Sequence, residues 1–196
     1  MAGRRRRHEA ADERPARDAD AAMEIAARFL GTRPRTRWEL ERRLRRAGAP
    51  DDVIVMTLER LARLGYVDDT AFARWWAEQR DRHAPRGRRM VEAELRQHGV
   101  PREVLEALRD DSAQVPADEE VRLPASEAER AEVALASHLR GRPFPADHRV
   151  VQRLGKFLMR RGFDPETVRA TLRAAAAEST PRGSTGDPGA ISGTDG

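Results

Sequence analysis

The sequence predicts an all-α fold: three tandem three-helix repeats forming an elongated, curved body with disordered termini. Three observations predict it. An internal repeat returns the same letters at the same spacing, apolar pairs four residues apart are followed by glycine, and few β-branched runs alternate with period two.

The repeat comes first because it organises everything else. One copy reads Pro34-Arg35-Thr36-Arg37, Leu40, Leu44, Arg45, Gly48, Pro50, and the next Pro85-Arg86-Gly87-Arg88, Val91, Leu95, Arg96, Gly99, Pro101, a period of 51 residues held over 17 positions. A looser third copy, Leu154, Leu158, Gly162 and Asp164, lies 63 residues beyond the second because of an acidic insertion. An apolar pair at i, i+4 occupies one helix face. The glycine four residues on supplies a left-handed C-cap, and Pro or Asp two beyond it starts another helix. Ile54, Leu105 and Val168 each follow their glycine by six residues, on the helix after the turn. A preceding apolar helix completes each unit: Ile25, Phe29 and Leu30 in the first, Phe72, Trp75 and Trp76 in the second, Val133, Leu135 and Leu139 in the third. Three helices this short bury little alone, so neighbouring units are expected to share cores.

Composition sets the boundaries. Residues 1–21 read as a disordered polar, Arg-rich head, 22–67 as repeat one, 68–111 as repeat two and 112–125 as an acidic, Pro-containing linker. Residues 126–176 read as repeat three and 177–196 as a disordered tail, too polar to offset the entropy of ordering. The run Arg4 to Arg7 is largely balanced by Glu9, Asp12, Glu13, Asp18 and Asp20.

Charge is placed, not merely abundant. The net charge is +4, yet residues 33–46 carry +5, 80–96 carry +3 and 140–161 carry +6, against −5 over residues 109–129. The single lysine is Lys156, so nearly every cation is arginine, suited to forked contacts with carboxylate or phosphate. Helical spacing lines up Arg149, Arg153, Lys156 and Arg160 in unit three, and Arg35, Glu39, Arg42 and Arg46 in unit one, opposite the leucine pairs. Unit two has Arg86, Met90, Ala93 and Gln97 there, and is expected to touch something different, or its neighbours. Two cationic stripes favour a polyanion or an acidic groove over a merely solvated face.

Catalytic patterns are missing. Zero cysteine removes disulfides, thiolate nucleophiles and Cys-ligated metal. His8, His83, His98, His138 and His148 form no i, i+4 pair, and no phosphate-loop, dinucleotide or nucleophile-elbow motif is present. No catalytic residue, metal or cofactor is expected. Asp68-Asp69 reads as a helix N-cap rather than a carboxylate dyad, because adjacent side chains on a helix diverge. Of Trp75 and Trp76, one is expected in the core and one partly exposed. No run approaches the ~18 apolar residues that span a bilayer, and no signal core follows the arginines, so a cytoplasmic location is expected.

These letters also carry a resemblance. The stretch Leu61-Ala62-Arg63-Leu64-Gly65-Tyr66-Val67-Asp68-Asp69-Thr70-Ala71-Phe72-Ala73 is preceded by Arg37-Trp38-Glu39-Leu40 and Leu44 and followed by Gly87, Glu94-Leu95 and Gly99-Val100. Together they resemble the RecX regulatory proteins of bacteria over roughly residues 22–111, with a third unit similar in pattern but poorer in signature letters. The resemblance implies a non-catalytic, monomeric protein that binds the groove of the RecA filament on single-stranded DNA. It would restrain ATP hydrolysis, strand exchange and the co-protease role in the SOS response. On that basis Arg35, Arg42, Arg46, Arg86, Arg88, Arg149, Arg153, Lys156 and Arg160 are expected to contact the partner or DNA. Gly65, Tyr66, Asp68 and Asp69 would fix the joint between units one and two, and Phe72, Leu40, Leu44, Val91 and Leu95 would be core. A direct DNA-binding protein of tri-helical repeats is the alternative, and a plain helical scaffold the third reading.

Overall fold

A computed structural model describes residues 18–111 and 126–179, and these form helices joined by turns, bends and irregular segments, with no strand among them. The expectations for the head before residue 18, the linker at 112–125 and the tail after 179 lie outside the described residues.

Helix α1 covers residues 18–30, so it is already running ahead of the boundary read at 22. It is followed by α2 (Arg37–Arg46) and α3 (Asp51–Arg63), which complete unit one. Unit two consists of α4 (Asp69–His83), α5 (Arg88–Gln97) and α6 (Arg102–Asp111). Unit three consists of α7 (Glu127–Leu139), α8 (His148–Arg160) and α9 (Pro165–Ser179), the last continuing past the boundary read at 176.

The predicted punctuation places these helices. Gly48, Gly99 and Gly162, at φ +81°, +75° and +89°, end the middle helix of each unit in the left-handed conformation that glycine adopts without a Cβ penalty. Asp68 caps α4, its Oδ1 accepting from the amides of Thr70 (2.8 Å) and Ala71 (3.1 Å), as the sequence predicts. Thr36 caps α2 in a reciprocal box with Glu39.

Each unit closes over its own core, which corrects the expectation of shared cores. Leu40, Leu44, Ile54 and Leu58 fill the first, with Ile25, Phe29 and Leu30 partly buried against them. Phe72, Val91, Leu95 and Leu105 fill the second, and Leu135, Leu154, Leu158, Phe163 and Val168 the third. Alanine explains how so little apolar volume suffices. Ala22 and Ala26 in α1, Ala73 in α4, and Ala131 and Ala134 in α7 are fully buried, letting the first helix of each unit lie close against the other two. Val133, read as core, is instead exposed on the outer side of α7. Trp75 and Trp76 are both half-buried, each within 6 Å of the Phe72 ring, so neither is wholly core and neither is a free stacking platform.

Candidate partner-binding site

With separate cores, the units must be held in line by something else, and the contacts between them repeat. At the first joint the N-cap Thr36 of α2 donates from Oγ1 to the carbonyl of His98 (2.6 Å), the C-cap of α5. The Arg37 amide beside it donates to Asp69 Oδ1 (2.8 Å), in the first turn of α4. At the second joint the N-cap Gly87 of α5 donates its amide to the carbonyl of Arg161 (2.9 Å), the C-cap of α8. The Arg88 amide donates to the Glu127 carboxylate (3.1 Å), in the first turn of α7. The middle helices therefore meet end to end, the N-terminus of one on the C-terminus of the next, which brings opposite ends of their dipoles together. This is the geometry of the extended repeat that the sequence predicts.

Close backbone approach makes these bonds reachable. A Cβ on Gly99 would strike the Trp38 side chain, and one on Gly162 would strike Met90, whereas Gly48, at the free end of the series, has nothing within 4 Å. Met90, the largest apolar member of the mostly uncharged face of unit two, thus packs on a neighbouring unit. The second joint adds a forked pair, Arg130 Nε to Asp81 Oδ1 (2.8 Å) and Arg130 Nη2 to Asp81 Oδ2 (3.0 Å), and an Arg161 contact to the Pro85 carbonyl (3.0 Å).

Ionisation differs between the joints' carboxylates. Burial pushes Asp69 and Glu127 above the ordinary carboxylate range, although the Arg37 and Arg88 amides and nearby arginine charges pull the other way. Burial also pushes on Glu39, but hydrogen bonds from Arg33 and His98, the Arg33 charge and the Thr36 amide outweigh it and hold Glu39 below that range. A lowered folded pKa stabilises above the unfolded value near ~4.3 and is lost as pH falls through the folded value. The Glu39→Gln variant is therefore expected to be less stable than the parent by about 2 kcal/mol at neutral pH. The two melting temperatures should converge on acidification below the ordinary glutamate range, which thermal melts across pH 2–7 would check.

The expected partner-binding cations divide sharply. Arg35 precedes the N-cap of α2, so it does not ride on that helix. It turns inward, donating to the Phe29 carbonyl (3.3 Å) and Thr32 Oγ1 (2.8 Å), its guanidinium 3.9 Å above the Phe29 ring. Arg86 likewise precedes the N-cap of α5 and pairs with Glu94, which also accepts from Trp76 Nε1 (2.8 Å) and Arg80 Nε (2.7 Å). Burial leads in lowering the pKa of both arginines. Arg42 lies 4.8 Å over the Trp38 ring. Arg46, Arg88 and Arg149 are exposed, Arg88 with its main chain committed to the joint. Among the signature residues Asp69 forms the first joint, while Tyr66 is 65% exposed and takes no part in the joint contacts above.

Arg153, Lys156 and Arg160 are brought together. All three are exposed on α8, and they line, with Arg142, a groove of about 520 Å³ whose floor includes Leu139, Val150 and Phe157. Among the described residues none of these four has an acidic partner. Sequence reasoning missed Arg142 and the joint residues Asp81, Glu127 and Arg130. Asp81 did carry a signal: an acid in the last turn of a helix opposes the dipole and calls for a tertiary cation. Among the described residues no cluster of three His, Asp or Glu side chains is arranged to hold a metal, and no helix is long and apolar enough to cross a membrane.

Residues 22–61 match the first three-helix domain of RecX, and residues 68–108 match the second. The chain is 37% identical over 150 residues to the regulatory protein RecX of Mycolicibacterium smegmatis, covering 74% of each chain. It is 39% identical over 163 residues to that of Thermobifida fusca, covering 80% of this chain and 82% of the relative. The crystal structure of RecX from Lactobacillus salivarius superposes with a TM-score of 0.66 over 83% of this chain and 99% of that one, at 16% identity, which shows a shared fold.

Proposed function

The chain belongs to the RecX family of regulatory proteins, and from that membership we propose that it modulates RecA recombinase. It acts without catalysing a reaction, as a cytoplasmic monomer lying along the groove of the RecA filament on single-stranded DNA. There it restrains ATP hydrolysis, strand exchange and the filament's co-protease role in the SOS response. Family membership supplies the partner, and the observation that carries the mode of binding is the set of unpaired cations on α8. An end-to-end series of units suits a long furrow, and the exposed Arg42, Arg46, Arg88 and Arg149 extend the cationic surface to all three units. Arg35 and Arg86 act from within, by fixing the approach to α2 and α5.

The test is to add the full chain to preformed RecA filaments on single-stranded DNA and follow ATP turnover. Turnover is expected to fall with added protein, and unchanged turnover overturns the reading. A salt titration on DNA without RecA separates direct DNA binding. Contact through a few phosphates should be weak, with a log–log slope of ~0.7 per phosphate neutralised on single strands and ~0.9 on duplex. Tight, sequence-selective duplex binding would assign the protein to DNA instead.

A further inference from the structure

The groove beside α8 differs from a bare cationic stripe because its floor is apolar and its cations stand around it. We propose that it is a docking site for an extended acidic peptide segment carrying an apolar anchor, a carboxylate on either side of a buried leucine-like side chain. The proposal deepens the regulator reading, since it names the chemistry that a protein partner must present to this unit.

Three observations converge on that ligand. The groove's volume of about 520 Å³ falls within the ~300–1,000 Å³ usual for ligand sites. Leu139, Val150 and Leu154 offer aliphatic contact there, and Pro143 and Pro145 form a stiff wall. The cations Arg153, Lys156 and Arg160 span seven residues of helix, about 10 Å at ~1.5 Å per residue. In an extended peptide residues two and four positions apart share a face at ~3.3 Å rise per residue, so carboxylates four positions apart, about 13 Å, flank an apolar side chain on that face and come within reach of the long arginine side chains at the two ends of the row.

The aromatic chemistry separates a peptide from a nucleic acid. Base binding in a cationic groove depends on a free aromatic face. The Phe157 ring is already engaged: His138 lies against it with centroids 4.1 Å apart, and the Arg161 guanidinium sits 4.8 Å from its centroid. What remains is aliphatic surface for a side chain and guanidinium forks for carboxylates.

The experiment titrates the ¹⁵N-labelled full chain with the peptide EDLLDE, and with EDSSDE and hexathymidylate as comparators. EDLLDE is expected to shift the amides of Val150, Leu154 and Phe157 and to bind at least tenfold more tightly than either comparator. The Arg153→Ala, Lys156→Ala double variant should lose at least tenfold. Val150→Asp should lose a similar factor with every cation in place, while Arg60→Ala with Arg63→Ala on α3 should change nothing. Equal binding of EDSSDE, tighter binding of hexathymidylate, shifts outside the groove, or no binding at millimolar peptide would each overturn the proposal. RecA is absent from this titration, so these failures leave the regulator reading standing, and that reading fails separately if filament ATP turnover is unaffected.

Discussion

Gly87→Ala is expected to part units two and three while leaving every helix formed. Gly87 sits at φ −65°, ψ 150°, which alanine adopts freely, so the variant carries no backbone strain of its own. The obstacle lies across the joint: a Cβ there would overlap the carbonyl of Gly162 and the amide nitrogen of Phe163, which are main-chain atoms and cannot rotate aside. Relief comes only by moving the units apart. That movement stretches the Gly87 amide bond to Arg161 and the Arg88 amide bond to Glu127, and it strains the forked Asp81–Arg130 pair. The expected loss is about 3 kcal/mol, the upper range for overpacking. Urea denaturation would measure it, and hydrogen exchange should show the Gly87 and Arg88 amides losing protection first. Gly48→Ala is the comparison. It must place alanine at φ +81°, but its Cβ meets nothing, so it should cost only about 1 kcal/mol. Equal losses for the two variants would mean that the close approach between units does not hold them in line.

Why the units were legible in the sequence and the joints were not follows from the range of each signal. Leucine pairs and capping glycines act within one turn or one unit, so their spacing alone locates α2, α5 and α8 and the residues they bury. The joints depend on residues distant in sequence, such as Arg37 and Asp69 or Asp81 and Arg130, and no helical period relates them. The stripe in unit one failed for a more local reason. A face read as i, i+4, i+7, i+11 is a helix face only if all its members are helical, and Arg35 stands ahead of the cap at Thr36. Glu39, the next member, is drawn into the first joint by His98 Nδ1 (3.0 Å) and paired within its own unit by Arg33 (2.6 Å). In unit three the helix begins at His148, so Arg149, Arg153, Lys156 and Arg160 all ride on it. Position relative to the cap, not charge count, decides which arginines face outward.

That distinction yields the prediction with the largest functional effect. Reversing Arg153 and Arg160 together to Glu is expected to abolish the inhibition of the RecA ATPase proposed above, while circular dichroism and the melting temperature stay near those of the parent. Both side chains are exposed and have no acidic partner among the described residues, and exposed substitutions of this kind move stability by about 0.5 kcal/mol or less. Binding responds differently. Each cation that meets a carboxylate or phosphate contributes about 1.5–3 kcal/mol, and reversal replaces attraction with repulsion. Two such losses amount to at least about 3 kcal/mol, on the order of a hundredfold in affinity. The row Arg153, Lys156, Arg160 would pass from three positive charges to one positive and two negative. Unchanged inhibition by the folded double variant would remove α8 from the interface. The same reversal at Arg35 should act by another route: it breaks the stack on Phe29 and the bonds to the α1 end, so it should lower the melting temperature before it changes any contact with RecA. A melting curve beside each ATPase curve therefore tells a cation that faces the partner from one that builds the unit presenting it.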